Sequence, residues 1–367
     1  MRRKWLITLS AVWLALGCAA DRQAEEGEPT VPFEELFSVE EVVHLRTAEA
    51  DPIGRVEDVT VWDDRIAVVD GLGRNVKVFD PDGSLAITLG RVGDGPGEFR
   101  FPIAAAVDDR ERLAVLDMAQ GRVSFFTTEG DLDDSFAFVG AFTGRMEALD
   151  GGRRLLVTTL ILSDDQTPLP HVGHVFDLVG NRLAWFGVRP EPVTPFEGPF
   201  LGTVMTTVDD TLAAWTTVGR HTLRLQRIDN AEDPSAASVG EGSEVSSIIP
   251  IPGFGSPDFT EVPADDQEEL FLWATRQEML FDLVGGPGMV IARFQSGDAR
   301  RGEEVQRYAL VPLDPDGLAI ATGETEHLIQ RWVGEMALGV SLDHEGDAHL
   351  YRYRVSTEHL RAGAGGP

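Results

Sequence analysis

The residues able to do chemistry in this chain are few and scattered. It has one cysteine, Cys18, and eight histidines: His44, His171, His174, His221, His327, His344, His349 and His359. Only "HVGH", His171 to His174, brings two imidazoles close in sequence. At i, i+3 on a strand the two rings point to opposite faces, which is poor geometry for gripping one metal. "DPDG" at Asp80 and Asp314 pairs two carboxylates. The alternating ligands of a calcium loop do not follow, so both read as hairpin turns. No serine or cysteine nucleophile stands in a legible constellation, and G-x-S-x-G is absent. The densest glycine stretch, "GRVGDGPGEFRFP" from Gly90 to Pro102, invites a phosphate reading. A phosphate cradle needs a helix behind the glycines or a Gly-Lys-Ser/Thr end. Here "EFRFP" leads into a strand, so the stretch is expected to be a connector. Gly93, Gly95 and Gly97 would supply positive φ, and Phe99 a wedge. No catalytic residue, metal or cofactor is expected.

The elements that must position any binding residues are repeated. "IAVVDGLGRNVKVFDPDGSL" from Ile66 aligns with "LAVLDMAQGRVSFFTTEGDL" from Leu113: Ala67 with Ala114, Asp70 with Asp117, Val76 with Val123, Phe79 with Phe126, Gly83 with Gly130, all 47 residues apart. The Phe-x-x-x-Gly pattern returns at Phe176 and Gly180. A fixed period in this range marks a repeat array. Each unit reads as four short β-rich runs broken by Asp/Gly turns, the grammar of a propeller blade. Six units begin near Val56, Ile103, Arg145, Val204, Glu278 and Leu328. The expected fold is all-β, a six-bladed β-propeller of four-stranded antiparallel blades. The last unit has three legible strands, so Val39 to Leu45 is expected to add its fourth and close the ring, leaving no open edge. Ala231 to Gln277 is long enough for a degenerate extra blade. Asp265 to Met279, in an insertion before unit five, is the one plausible helix.

In such a fold the loops between second and third strands share a rim with the connections between blades. That rim collects Arg74, Arg91, Asp94, Glu98, Arg122, Asp164, Asp165, Arg220, His221, Arg300, Arg301 and His344, the candidate ligand-binding residues. Long loops on rigid scaffolds are where binding residues concentrate, and Ile161 to His171 is long for a hairpin. Arg300 and Arg301 stand together and could hold one carboxylate or phosphate. Simple solvation is the alternative for each rim charge.

The N-terminus gives an address. "MRRK" precedes an apolar run, Trp5 to Gly17, too short for a comfortable membrane span and shaped like a secretory signal. Cys18 follows at once. "LALGC" resembles a bacterial lipobox, although leucine falls at Leu14 and Ala15 stands three places before the cysteine. The resemblance implies acylation of Cys18 and a lipid anchor; a simple signal peptide with an unrelated cysteine is the alternative. Ala19 is not aspartate, which by the sorting rule of enteric bacteria favours the outer membrane, facing the periplasm or the cell surface. Residues 18–38 read as an acidic flexible tether and 356–367 as a disordered tail. Removing residues 1–17 takes away three of 31 basic side chains and no acid, so the net charge moves from −30 to −33. So negative a chain repels nucleic acid and anionic lipid headgroups, leaving the acyl chains to make any membrane attachment.

"GRVGDGPGEFRFP" followed by "LAVLDMAQGRVSFFTTEG" resembles NHL-type repeats, and more closely the six-bladed propeller lipoproteins of bacteria. The resemblance is close over Val56 to Gly140 and weaker beyond. It implies fold and location. It leaves two functions open: a non-catalytic binding or scaffolding module of the cell envelope, for a protein or a small ligand, or a metal-dependent lyase or lactonase. The enzymes of related propellers gather histidines or acids with a metal over the central channel. A monomeric binding module is the expectation.

Overall fold

The computed structural model describes residues 31–138, 140–141, 144–158, 160–161, 171–188, 203–217, 222–228, 247–251, 269, 273, 279–296, 305–314 and 319–357. These residues form six four-stranded antiparallel sheets in a closed ring, a six-bladed β-propeller. The inner strands are Val56–Trp62, Pro102–Val107, Met146–Leu149, Thr203–Asp209, Met279–Gly286 and Arg331–Val333. Their starts fall within three residues of the sequence units. Blade 6 takes its outer strand from the other end of the chain. Phe37–Leu45 pairs antiparallel with Ala348–Val355, from Phe37 opposite Val355 to Leu45 opposite Ala348. Upstream, Val31 bridges Thr322 of blade 5, with the Val31 N–H donating to the Ala321 carbonyl at 2.9 Å. No extra blade lies among the described residues of 231–277. Ser247–Pro250 is the outer strand of blade 4, and Glu269 and Trp273 are helical.

The near-continuous apolar runs of the strands have one cause: both faces of every blade are buried. Alternation then sends successive residues to opposite neighbours. Ile66 and Val68 pack toward blade 6 with Val340 and Leu350. Ala67 and Val69 pack toward blade 2 with Leu113 and Val115. Six such clusters fill the six seams between adjacent blades.

The 47-residue matches also have local causes. Asp70 ends the second strand of blade 1 and accepts the N–H groups of Gly54, Arg55 and Gly73. Asp117 does the same in blade 2 for Arg100, Phe101 and Gln120. Each aspartate clamps the incoming connection onto its own hairpin. Gly83, Gly130 and Gly180 turn the third–fourth hairpins at φ of +82°, +93° and +91°. A Cβ at Gly130 would overlap Ile87 of blade 1, so glycine there serves both the turn and the seam.

Candidate functional site

The connections between blades and the second–third hairpins emerge on one side of the ring, the connection rim. The first–second and third–fourth hairpins emerge on the other, the hairpin rim. Inner strands therefore start at the connection rim, and their first halves form the channel mouth beneath it.

That mouth is filled by ion pairs among blades 1, 3, 5 and 6, with hydrogen bonds that bring in blades 2 and 4. Asp58 of blade 1 accepts the Ala105 N–H of blade 2 at 3.0 Å and the Arg331 guanidinium of blade 6 through both oxygens. Arg145, at the entry of blade 3, bonds across the channel to blades that are not its neighbours. Its Nη1 donates to both oxygens of Asp282 in blade 5, at 3.0 and 2.9 Å, and its Nη2 to the Gln330 carbonyl in blade 6. Its Nε donates to Glu147 at 3.1 Å. Glu147 in turn accepts the Thr207 N–H and the Thr206 hydroxyl of blade 4, at 2.6 and 3.0 Å. The Thr206 hydroxyl accepts the Gly285 N–H of blade 5 at 2.8 Å. Arg293 adds its charge 3.7 Å from Asp282 and lies over the Phe281 ring at 4.9 Å.

Three guanidiniums thus face three carboxylates. Burial works against the charge on Arg145, but Asp282, Glu147 and Asp58 outweigh it and raise its pKa further. At Asp282 burial wins over the attraction of Arg145 and Arg293, and the carboxyl titrates above its ordinary range. The backbone makes room through bulges at Glu57 and Phe281, where pairing shifts by a residue. Phe281 is left partly exposed at the mouth.

Above the mouth, the Gly90–Pro102 stretch is stitched to itself. The Phe99 N–H donates to the Arg91 carbonyl at 2.7 Å, and Gly93 N–H to the Phe99 carbonyl at 3.2 Å. Gly90 and Gly97 take φ of +72° and +70°. Gly93 and Gly95 do not share that conformation, contrary to the sequence expectation. Gly93 instead leaves room for the Glu98 carboxylate, which a Cβ would overlap. Phe99 is fully buried in the seam between blades 1 and 2, its ring 5.9 Å from Phe126.

Five of the candidate rim residues, Arg74, Arg91, Asp94, Glu98 and Arg122, are brought to one corner. Arg91 pairs with Glu98 at 2.8 Å, Arg100 with Asp94, and Arg122 donates to the Gly95 carbonyl at 2.9 Å. Arg91, Arg100 and the main-chain N–H of Gly95 hold the Asp94 and Glu98 carboxyls below their ordinary values. Arg74 stands exposed on the adjacent hairpin. His344 stands apart on blade 6, exposed beside Glu345. Asp164, Asp165, Arg220, His221, Arg300, Arg301 and Cys18 lie outside the described residues.

A family model described as a 6-bladed beta-propeller (DUF5128) matches residues 23–139. The likeness to solved structures is one of fold. A protein of Bacteroides fragilis NCTC 9343 described as exported is 13% identical, with a TM-score of 0.60 over 90% of this chain and 98% of that one. A member of the DUF4221 family from Bacteroides vulgatus is 11% identical, with a TM-score of 0.57 over 87% and 98%. No curated protein matches the sequence.

The channel-mouth residues escaped sequence reading, although a signal existed. Asp58 and Asp282 interrupt apolar strands that are buried on both faces, and a carboxylate there must find a cation. Two histidines also converge. His44 and His349 lie directly opposite across the closing pair of strands, their rings stacked 4.9 Å apart. Residues 305 apart in sequence give no hint of this until the ring is closed. Among the described residues, no three His, Cys, Asp or Glu side chains form a group able to hold a metal ion. A depression of about 410 Å³ sits on the hairpin rim, lined by Asp63, Arg65, Ile87, Thr128 and Glu129, where Arg65 is already tied to Asp80.

Proposed function

We propose that this chain is a lipid-anchored propeller of the bacterial envelope that binds a protein or small ligand at its connection rim and performs no chemistry itself. One observation carries the reading. The carboxylates at the channel mouth, where a metal-dependent lyase or lactonase of propeller type would collect its ligands, are each engaged by a guanidinium. Such a site is a structural plug that rigidifies the rim above it. The anchor is supported by Cys18 directly behind an apolar leader and by the similarity in fold to a protein described as exported. The tether read over residues 18–38 would then end before Val31, because Phe33–Leu36 is helical and Phe37 already pairs with Val355. It enters the fold at the outer edge of blade 5, where Val31 bridges Thr322.

Detergent-phase partition and N-terminal mass spectrometry test the anchor. Wild-type protein is expected in the detergent phase with an acylated Cys18 peptide, and Cys18→Ser in the aqueous phase. Soluble wild type with an unmodified N-terminus would overturn the envelope-anchor reading.

A further inference from the structure

We propose that the blade 1 corner of the connection rim, built on Leu72, Arg74 and Val92, docks a protein segment that presents carboxylates beside apolar side chains. The inference rests on the rim-binding reading above and narrows it to one place and one chemistry.

Arg74 adopts a left-handed backbone, φ +55°, in the second–third hairpin of blade 1. Its counterpart 47 residues later is Gly121, at φ +56°. The turn therefore requires positive φ, and blade 2 meets the requirement with glycine. An L-residue there costs about 1–2 kcal/mol. The fold gains no ion pair in exchange, since the Arg74 guanidinium is exposed and bonds to no described residue. Strain held by an exposed side chain with no structural partner points to a use outside the fold.

The surroundings give that use a chemistry. Leu72 is 60% exposed and Val92 59% exposed, although both are large apolar residues. Val76 pairs with Leu89 at the rim end of the sheet, so the hairpin and the loop carrying these two residues emerge side by side. Of eight exposed large apolar side chains among the described residues, five lie toward this rim: Leu72, Val92, Val188, Phe281 and Leu342. Of these five, Leu72 and Val92 are the two that share a blade, which singles out this corner.

The corner's other charges are balanced. Arg91 and Arg100 pair with Glu98 and Asp94, Asp117 lies near Arg100, and the Glu57 and Asp70 carboxylates beside Gly71 and Gly73 are held by Arg55 and Lys77. Arg122 donates to a carbonyl and places its charge near Asp94, which leaves Arg74 as the guanidinium of this corner with no ion pair among the described residues. In a chain of net charge −30, a carboxylate docks most favourably where such an unpaired guanidinium stands exposed. Arginine flanked by exposed aliphatic side chains on a convex rim suits a polypeptide better than a free anion, which would want a cup of convergent donors.

Fluorescence anisotropy on the mature chain tests the inference with labelled synthetic peptides. The first probe alternates Leu and Glu; the others substitute Gln or Lys for Glu, or Ser for Leu. The Leu/Glu peptide is expected to bind, more weakly as salt rises, and the other three to bind at least tenfold more weakly. Arg74→Glu and the double change Leu72→Ser with Val92→Ser should each lower affinity at least tenfold, and Val179→Ser on the hairpin rim should not. Arg74→Gly should lower affinity while leaving the melting temperature unchanged or higher, an outcome a merely structural arginine would not give. No binding of the Leu/Glu peptide, or equal binding by the Leu72, Arg74 and Val92 variants, overturns the proposal. If those variants bind like wild type while Phe281→Ser or Leu342→Ser loses the peptide, rim binding stands and this corner falls. If every rim variant binds like wild type, both readings fall.

Discussion

Arg145→Met should weaken the whole ring, because Arg145 is the side chain that crosses the channel. The substitution keeps an unbranched chain of similar length and removes only the guanidinium. Asp282 then retains the Leu283 N–H at 2.9 Å and Arg293 at 3.7 Å. Glu147 keeps its bonds from Thr206 and Thr207, and the Gln330 carbonyl loses its donor. Breaking a buried ion pair from one side costs about 3–5 kcal/mol. Asp282 keeps Arg293 and the Leu283 N–H, which places the loss near the lower end. With an unfolding entropy of about 2.1 cal/mol/K per residue over a propeller of roughly 320 residues, about 3 kcal/mol corresponds to roughly 4–5 °C in Tm. Differential scanning calorimetry at a fixed scan rate measures it. The deficit should grow as pH rises through the raised Asp282 value, since a protonated Asp282 no longer misses its partner. Combined with Asp282→Asn, the loss should fall short of the sum of the two single losses by about 1 kcal/mol or more. A variant melting within about 1 °C of wild type, or strict additivity, would refute the view that this pair ties blade 3 to blade 5.

Further outcomes follow from the same geometry. Burial raises the Asp70 pKa, but the N–H groups of Gly73, Gly54 and Arg55, with Lys77, outweigh it and leave the carboxyl below its ordinary 3.8. Its stabilisation is therefore complete above that value and is lost as pH falls through the lowered one. Asp70→Asn should flatten the acid limb of a stability–pH curve below about pH 4. Phe99→Ala should cost about 3–5 kcal/mol in a denaturant titration by opening the seam between blades 1 and 2. Gly90→Ala should also be strongly destabilising, because a Cβ there would overlap Phe99 as well as straining the backbone. Deleting residues 31–45 should strip blade 6 of its outer strand and abolish a single cooperative melt, leaving broad or multiple transitions.

What the sequence disclosed and what it hid differ by distance along the chain. The blades were legible because a 47-residue repeat places equivalent residues in equivalent local settings: Asp70 and Asp117 make the same clamp, Gly83 and Gly130 the same turn. The closing strand was legible because one blade lacked a fourth run and one apolar run had no blade. The charged plug was not legible. Its members come from different blades, up to 273 residues apart for Asp58 and Arg331, and the ring alone brings them together. Glycine roles were half legible: the connector was recognised as such, but which glycines turn the backbone depended on where Glu98 and Phe99 lodge.

The reading of the channel mouth as a plug beneath a binding rim is tested most directly by the metal content of the purified mature protein. Elemental mass spectrometry should find no stoichiometric zinc or calcium, and a chelator should leave the melting temperature unchanged. About one bound equivalent that survives purification, with a melting temperature lowered by chelation, would mean that metal binds the folded state. It would contradict the account in favour of a metal-dependent enzyme.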